Sequence, residues 1–150
     1  MQHFEGTVLI KASRSEVWEF LVDPYKVGGC MPGVESVEVE DGDRKFRAVA
    51  VIGFGSVKAR FKGDAEFIEI EEPNWATLKA HGNAPGSAMD VTSLMMLSDG
   101  PDGTVELKWS TDITVLGSLA SLAARLMSSI TKKLSAEFFD CFKTTIEAQT

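Results

Sequence analysis

Two histidines, two cysteines and one tyrosine are all that this 150-residue chain offers of the side chains that most often move protons or bind metals. His3 and His81 have no second ligand at metal-binding spacing, and neither Cys-x-x-Cys nor Gly-x-Ser-x-Gly occurs. That shortage counts against metal-assisted and nucleophilic catalysis. Cys30 and Cys141 are too few for a disulfide framework and fit a reducing compartment, with a single bridge left open. Cys30 reads as a small packed hydrophobe, since no basic neighbour lowers its pKa. Basic charge is also in deficit. Lys and Arg number 15 against 22 acids, a net charge of −7, whereas a protein that coats nucleic acid carries a basic footprint. Long hydrophobic runs are missing. The most apolar stretch, Ile113 to Leu126, contains Arg125 and is too short to span a bilayer. The N-terminus has no basic n-region and no apolar h-region. A cytoplasmic protein is expected, touching a membrane only at its surface.

The residues present are 44% apolar and 25% charged, ordinary for a folded chain, and the length suits one domain over 1–150. Phe4, Gly6, Val8 and Ile10 alternate with polar neighbours, the period of a strand with one wet face. Ser13-Arg14-Ser15-Glu16 is a capping box opening a short helix, which Asp23-Pro24 ends. A second short helix or turn covers about Pro24 to Gly28, and Gly28 to Gly33 reads as a rigid connector. Alternating strands follow to about Thr114. Asp41-Gly42-Asp43 and Gly53-Phe54-Gly55 are the expected turns, and a phase slip at Phe67-Ile68 signals a bulge. Gly53 to Lys58 superficially resembles a phosphate loop but joins two strands instead of opening a helix. From about Ser118 to Ala148 the apolar residues step by three or four, a single long helix. The pattern predicts an α+β helix-grip: a curved antiparallel sheet of about seven strands around a long C-terminal helix, with two short helices after the first strand.

Two distributed features suggest function. The inner strand positions are small, and a curved sheet lined by small residues leaves a void for an apolar ligand. The expected cavity is lined by Ala50, Ile52, Phe61, Gly63, Ala65, Leu78 and Ala80 on the sheet. On the helix the stripe Leu119, Leu122, Ala123, Leu126 and Ile130 faces them. The second feature is charge: no acid lies between Asp112 and Glu137, while Arg125, Lys132 and Lys133 do. Phe54, Val115, Leu116, Gly117 and Arg125 are expected to form a cavity mouth that meets a membrane or a partner. Asp90 interrupts an apolar strand. Alternation turns it to water, and an inward Asp90 paired with Trp109 or His81 would instead favour an enzyme.

The chain resembles the carbon monoxide dehydrogenase G-subunit family, a branch of the START and Bet v 1-like superfamily. The resemblance rests on Phe4-Glu5-Gly6, the run from Ala12 to Pro24, Cys30-Met31-Pro32-Gly33-Val34-Glu35, Gly53 to Lys58 before Phe61-Lys62-Gly63, Gly117-Ser118-Leu119-Ala120, and Phe138-Phe139. It implies a hydrophobic cavity between sheet and helix, holding a quinone- or lipid-like molecule, with no cofactor required for catalysis. It also implies a molybdenum-containing dehydrogenase as partner and reversible contact with the inner face of the membrane. Some members extend into a membrane-anchoring tail; with the chain ending at Thr150, permanent anchoring is not expected. Two function classes stand at this point. One is a non-catalytic carrier, and the other is a cyclase- or hydrolase-like enzyme acting on an apolar or aromatic substrate in the same cavity.

Overall fold

The computed structural model describes residues 1–40 and 44–147. The expected Asp41-Gly42-Asp43 turn and the predicted helix end at Ala148 lie outside the described residues. The elements run β1 (Gln2–Ile10), α1 (Arg14–Leu21), α2 (Pro24–Cys30), β2 (Val34–Val39), β3 (Lys45–Phe54), β4 (Val57–Glu71), β5 (Trp75–Ala84), β6 (Ser87–Asp99), β7 (Val105–Gly117) and α3 (Ala120–Glu147). The strands form one antiparallel sheet in the order β1-β7-β6-β5-β4-β3-β2. Strands β2 to β7 are therefore a meander, and β1 closes onto β7 with Phe4 opposite Thr111 and Gly6 opposite Trp109. This is the predicted helix-grip.

Local chemistry sets the boundaries. The Ser13 hydroxyl accepts the Glu16 amide at 3.2 Å, and the Ser13 amide donates to the Glu16 carboxylate at 3.2 Å, completing the capping box of α1. Asp23 then caps α2 by accepting the Tyr25 and Lys26 amides. Helix α2 runs to Cys30, past the expected end near Gly28, so half of the supposed connector is helical. Gly28 and Gly29 are poor helix formers, but Cys30 is buried and tied to α3, which holds the last turn in place. Strand β3 continues through Phe54, which pairs with Val57. The turn is therefore Gly55-Ser56, and Gly55 supplies the positive φ of 67° that its first position needs. The β4 register shifts between Phe67 and Glu69, which places the expected bulge at Ile68. A further shift between Val34 and Ser36 turns Glu35 toward Arg60, and the two form a fork with contacts of 2.8 and 3.0 Å. Helix α3 begins at Ala120, two residues later than expected. The Ser118 amide donates to the Gly86 carbonyl and the Leu119 amide to the Ser87 hydroxyl, so the β5–β6 hairpin holds these residues outside the helix.

The core is split into two clusters. One packs α1, the end of α3, β1 and β7 around Ile10, Val17, Leu107 and Phe142, with the Phe20 and Phe142 rings edge to face at 4.5 Å. The other gathers Phe54, Phe61, Met89, Leu119, Ala123 and Met127 around the start of α3. The sheet curves tightly between them. A Cβ at Gly63 would collide with the His81 carbonyl oxygen and crowd the Gly82 Cα, so only glycine permits this approach of β4 and β5.

Cys30 and Cys141 form a disulfide with Cα atoms 5.4 Å apart, linking α2 to α3 across 111 residues of sequence. The reading of Cys30 as a free packed thiol is thereby corrected. The cause is tertiary: α2 lies on α3 in the fold, although nothing near either cysteine in sequence indicates it. Closing so long a loop restricts the unfolded chain strongly. Replacing both cysteines with serine is expected to lower stability by about 2–5 kcal/mol. Urea unfolding of the oxidised parent and the Cys30→Ser/Cys141→Ser variant measures it, and equal midpoints at equal slope would remove the disulfide from the stabilising interactions.

Candidate functional site: an apolar cavity under the sheet

Between the two core clusters lies a cavity of about 460 Å³. That volume falls in the range of small-molecule sites. Strand alternation points Ala48, Ala50 and Ile52 of β3, Phe61, Gly63 and Ala65 of β4, and Leu78 and Ala80 of β5 into it. All seven sheet positions named from the sequence are thus on the cavity wall. The helix side is different. Of the five residues in the expected stripe, only Ile130 lines the cavity. Leu119 and Ala123 are buried in the second cluster with Phe54 and Phe61, and Leu122 and Leu126 pack against that cluster. The helix crosses the sheet so that its first two turns plug one end, and the cavity faces its middle, from Met127 and Leu134 to Phe138 and Phe139. Helical spacing identifies the apolar stripe but not which stretch of it meets the void.

Helix α2 and the segment after it supply a wall that sequence reasoning missed: Pro24, Val27, Gly28, Met31 and Pro32. Trp109 was also missed as a lining residue. Its ring lies against Gly6, where a Cβ would sit 2.8 Å from Nε1, and 6.3 Å from the Phe139 ring. The available signal was its phase in β7, two residues from Thr111 and four from Ile113.

The expected mouth is not built as anticipated. Phe54 is 1% exposed and belongs to the plug, because it pairs with Val57 inside the hairpin instead of standing in the turn. Val115 packs on the same plug, and neither it nor Leu116, Gly117 or Arg125 lines the cavity. Leu116 is nonetheless 53% exposed, Gly117 reverses the chain at φ 88°, and Arg125 is on the surface beyond it. Leu116 and Gly117 end β7 against the β5–β6 hairpin, and Arg125 stands exposed on the second turn of α3. A second hollow of about 310 Å³ lies over the disulfide, but Glu16, Glu19 and Lys26 border it, giving it a charged rim unlike the apolar cavity.

Charged groups occupy the other side of the sheet. His81 stands opposite Asp90 on β6 and Asp64 on β4, and these side chains alternate away from the cavity-facing Ala80, Met89 and Gly63. The His81 Nδ1–H donates to Asp90 Oδ1 at 2.6 Å, with both side chains half exposed. His3 makes the same contact with Asp112 at 2.7 Å. Both imidazoles are raised above the usual 6.5, chiefly by the hydrogen bonds to Asp112 and Asp90 respectively. Asp90 therefore faces water and meets His81 there, so its pairing supplies no acid or base to the cavity. Among the described residues no group of three His, Cys, Asp or Glu side chains could hold a metal. No described helix is long and apolar enough to cross a membrane.

A sheet curled over one long helix with an apolar space between them defines a helix-grip domain. Solved structures share it. A conserved protein from Geobacillus kaustophilus superposes with a TM-score of 0.88 at 24% identity, covering 98% of this chain and 96% of that one. The Zhui aromatase/cyclase from Streptomyces sp. R1128 gives 0.74 at 15% identity, covering 97% and 93%. A START superfamily protein from Mycobacterium smegmatis gives 0.64 at 11%, covering 99% of each. No curated protein matches the sequence. The sequence profile of the carbon monoxide dehydrogenase G-subunit family (CoxG) matches residues 6–147, and the chain belongs to that family.

The histidine contacts give a signed pH expectation. A raised folded-state pKa contributes stability fully below 6.5, the usual value, and that contribution fades as pH rises through the raised one. In a proton NMR titration His81 should titrate above 6.5 and return toward it in Asp90→Asn. A His81 midpoint unchanged by that substitution would show that the contact does not control it.

Proposed function

We propose that the protein is a non-catalytic carrier for a hydrophobic small molecule, quinone- or lipid-like. It would serve a molybdenum-containing dehydrogenase at the membrane surface. The observation that carries this is the composition of the cavity wall. It is mainly alanine, glycine, aliphatic, methionine and aromatic side chains with a few hydroxyls; Asp64 and His81 also border it, but strand alternation turns their side chains to the opposite face of the sheet. Such a wall binds by removing apolar surface from water, at about 25 cal/mol per Å², and among the described residues strand and helix phase point no titratable side chain into it for proton transfer. No cofactor enters this reading. The family membership supports the dehydrogenase partner.

The second reading is a helix-grip enzyme acting on an apolar or aromatic substrate. It draws on the fold shared with the Zhui aromatase/cyclase. Against it stands the position of Asp90 and His81, the acid and base it would need, on the solvent side of β5 and β6.

Native mass spectrometry of freshly purified protein is expected to retain an apolar molecule of a few hundred daltons. Ala80→Phe, placing a ring inside the cavity, should remove it in a folded protein; retention by that variant would refute the cavity as its site. For delivery, the exposed Leu116 and the basic residues Arg125, Lys132 and Lys133 suit reversible docking on the inner, anionic face of a cell membrane. Each basic group adds about 1 kcal/mol there, a salt-sensitive attraction from which a carrier can detach. Co-sedimentation with anionic vesicles should exceed that with neutral ones at low salt and fall at high salt and in Leu116→Glu. Equal binding to both lipids would exclude this docking. In a cytoplasmic setting the Cys30–Cys141 link is the feature a reducing environment would open.

A further inference from the structure

Among the described sheet residues whose side chains face the cavity, two carry hydroxyls. Ser93 of β6 and Thr111 of β7 are register partners whose side chains face inward among Val91, Met95, Trp109 and Ile113. Their hydroxyl oxygens are 2.7 Å apart, and Thr111 Oγ1 also lies 3.4 Å from the Thr92 carbonyl. Thr131 and Ser135, one turn apart on α3, bring two more hydroxyls to the opposite wall. The Ser135 hydroxyl is already directed at the Lys132 carbonyl at 3.2 Å.

The proton count of the Ser93–Thr111 pair decides what it can offer. Each hydroxyl has one hydrogen and two acceptor sites. With Thr111 donating to the Thr92 carbonyl, Ser93 donates to Thr111 and keeps its own lone pairs for a donor in the cavity. With Thr111 donating to Ser93, the Ser93 hydrogen is left to reach into the cavity. One rotation of two hydroxyls thus switches the pair between accepting from a ligand O–H and donating to a ligand C=O. Valine and alanine at these positions would complete the apolar wall at no cost in size.

The geometry points to the Ser93–Thr111 pair as the subsite that orients the ligand, binding a neutral carbonyl or hydroxyl oxygen at one end of an otherwise apolar molecule. This rests on the carrier reading and narrows it. A carboxylate or phosphate head is excluded, because among the described residues no cationic side chain faces into the wall to compensate a buried charge. A pure hydrocarbon would leave the pair without its third partner.

Three probes of similar size test it on the full chain: naphthalene, tetralone and naphthoate. Equilibrium dialysis should show naphthalene and tetralone binding and naphthoate excluded. In Ser93→Ala/Thr111→Val the ratio of tetralone to naphthalene affinity should fall about threefold to tenfold, the range of one net hydrogen bond. The infrared carbonyl stretch of tetralone bound to the parent protein should lie below its position in an alkane solvent. That measurement decides the matter even if the double variant fails to fold. An unshifted stretch, an unchanged ratio in the folded variant, or naphthoate binding most tightly would overturn the subsite while leaving the carrier reading intact. If neither naphthalene nor tetralone binds, the carrier reading fails and the subsite with it.

Discussion

The grip of a bent sheet on one straight helix governs this molecule. A sheet curved enough to wrap α3 must shrink its inner side chains where the strands bend. Gly63 packs against the β5 backbone, and Ala50, Ala65 and Ala80 stand around it. Small residues that permit the bend cannot also reach the helix. Aromatic side chains fill the two ends, Phe54 at one and Phe20 and Phe142 at the other, while Phe46, Phe61, Phe67, Trp109, Phe138 and Phe139 border the space left between. The space of about 460 Å³ between the two ends is lined mainly by apolar side chains, and an apolar molecule filling it would supply the contacts its walls lack.

The remaining wall depends on a different device. Helix α2 has only seven residues, two of them glycine, and gives the cavity Pro24, Val27 and Gly28. A helix this short is not stable by itself. The Asp23 cap fixes its start, and the Cys30–Cys141 link fixes its end to α3. The wall and the helix it faces are thereby joined at a point outside the cavity.

The two faces of the sheet divide the chemistry. On the convex face Glu38, Arg47, Asp64, His81 and Asp90 form a row across successive strands, exposed and alternating mainly in sign. Individual exposed pairs of this kind add little stability, but they keep charge in water and out of the cavity. Period-two alternation makes this separation automatic. A one-residue slip in β5 or β6 would turn His81 and Asp90 inward and expose Ala80 and Met89.

Much of this was legible in the residues. The Ser13–Glu16 capping box, the bulge at Ile68, the change of period before α3 and the seven sheet positions of the cavity all follow from local rules of spacing. Resemblance to the family was legible too, in short runs such as Met31-Pro32-Gly33. What local spacing could not supply was where separate elements meet. The stripe on α3 repeats along its length, so nothing in it distinguishes Leu119 and Ala123, which plug the end, from Leu134 and Phe138, which face the void. Phe54 looks exposed beside two glycines, and only the pairing of β3 with β4 buries it. The partners Cys30 and Cys141, and the hydroxyl pair Ser93 and Thr111, lie 111 and 18 residues apart. Sequence by itself determined which faces are apolar, because side-chain direction follows from backbone period. The tertiary structure alone decided which apolar faces touch and which enclose space, because that depends on the crossing of α3 over a sheet whose curvature is a property of all seven strands together.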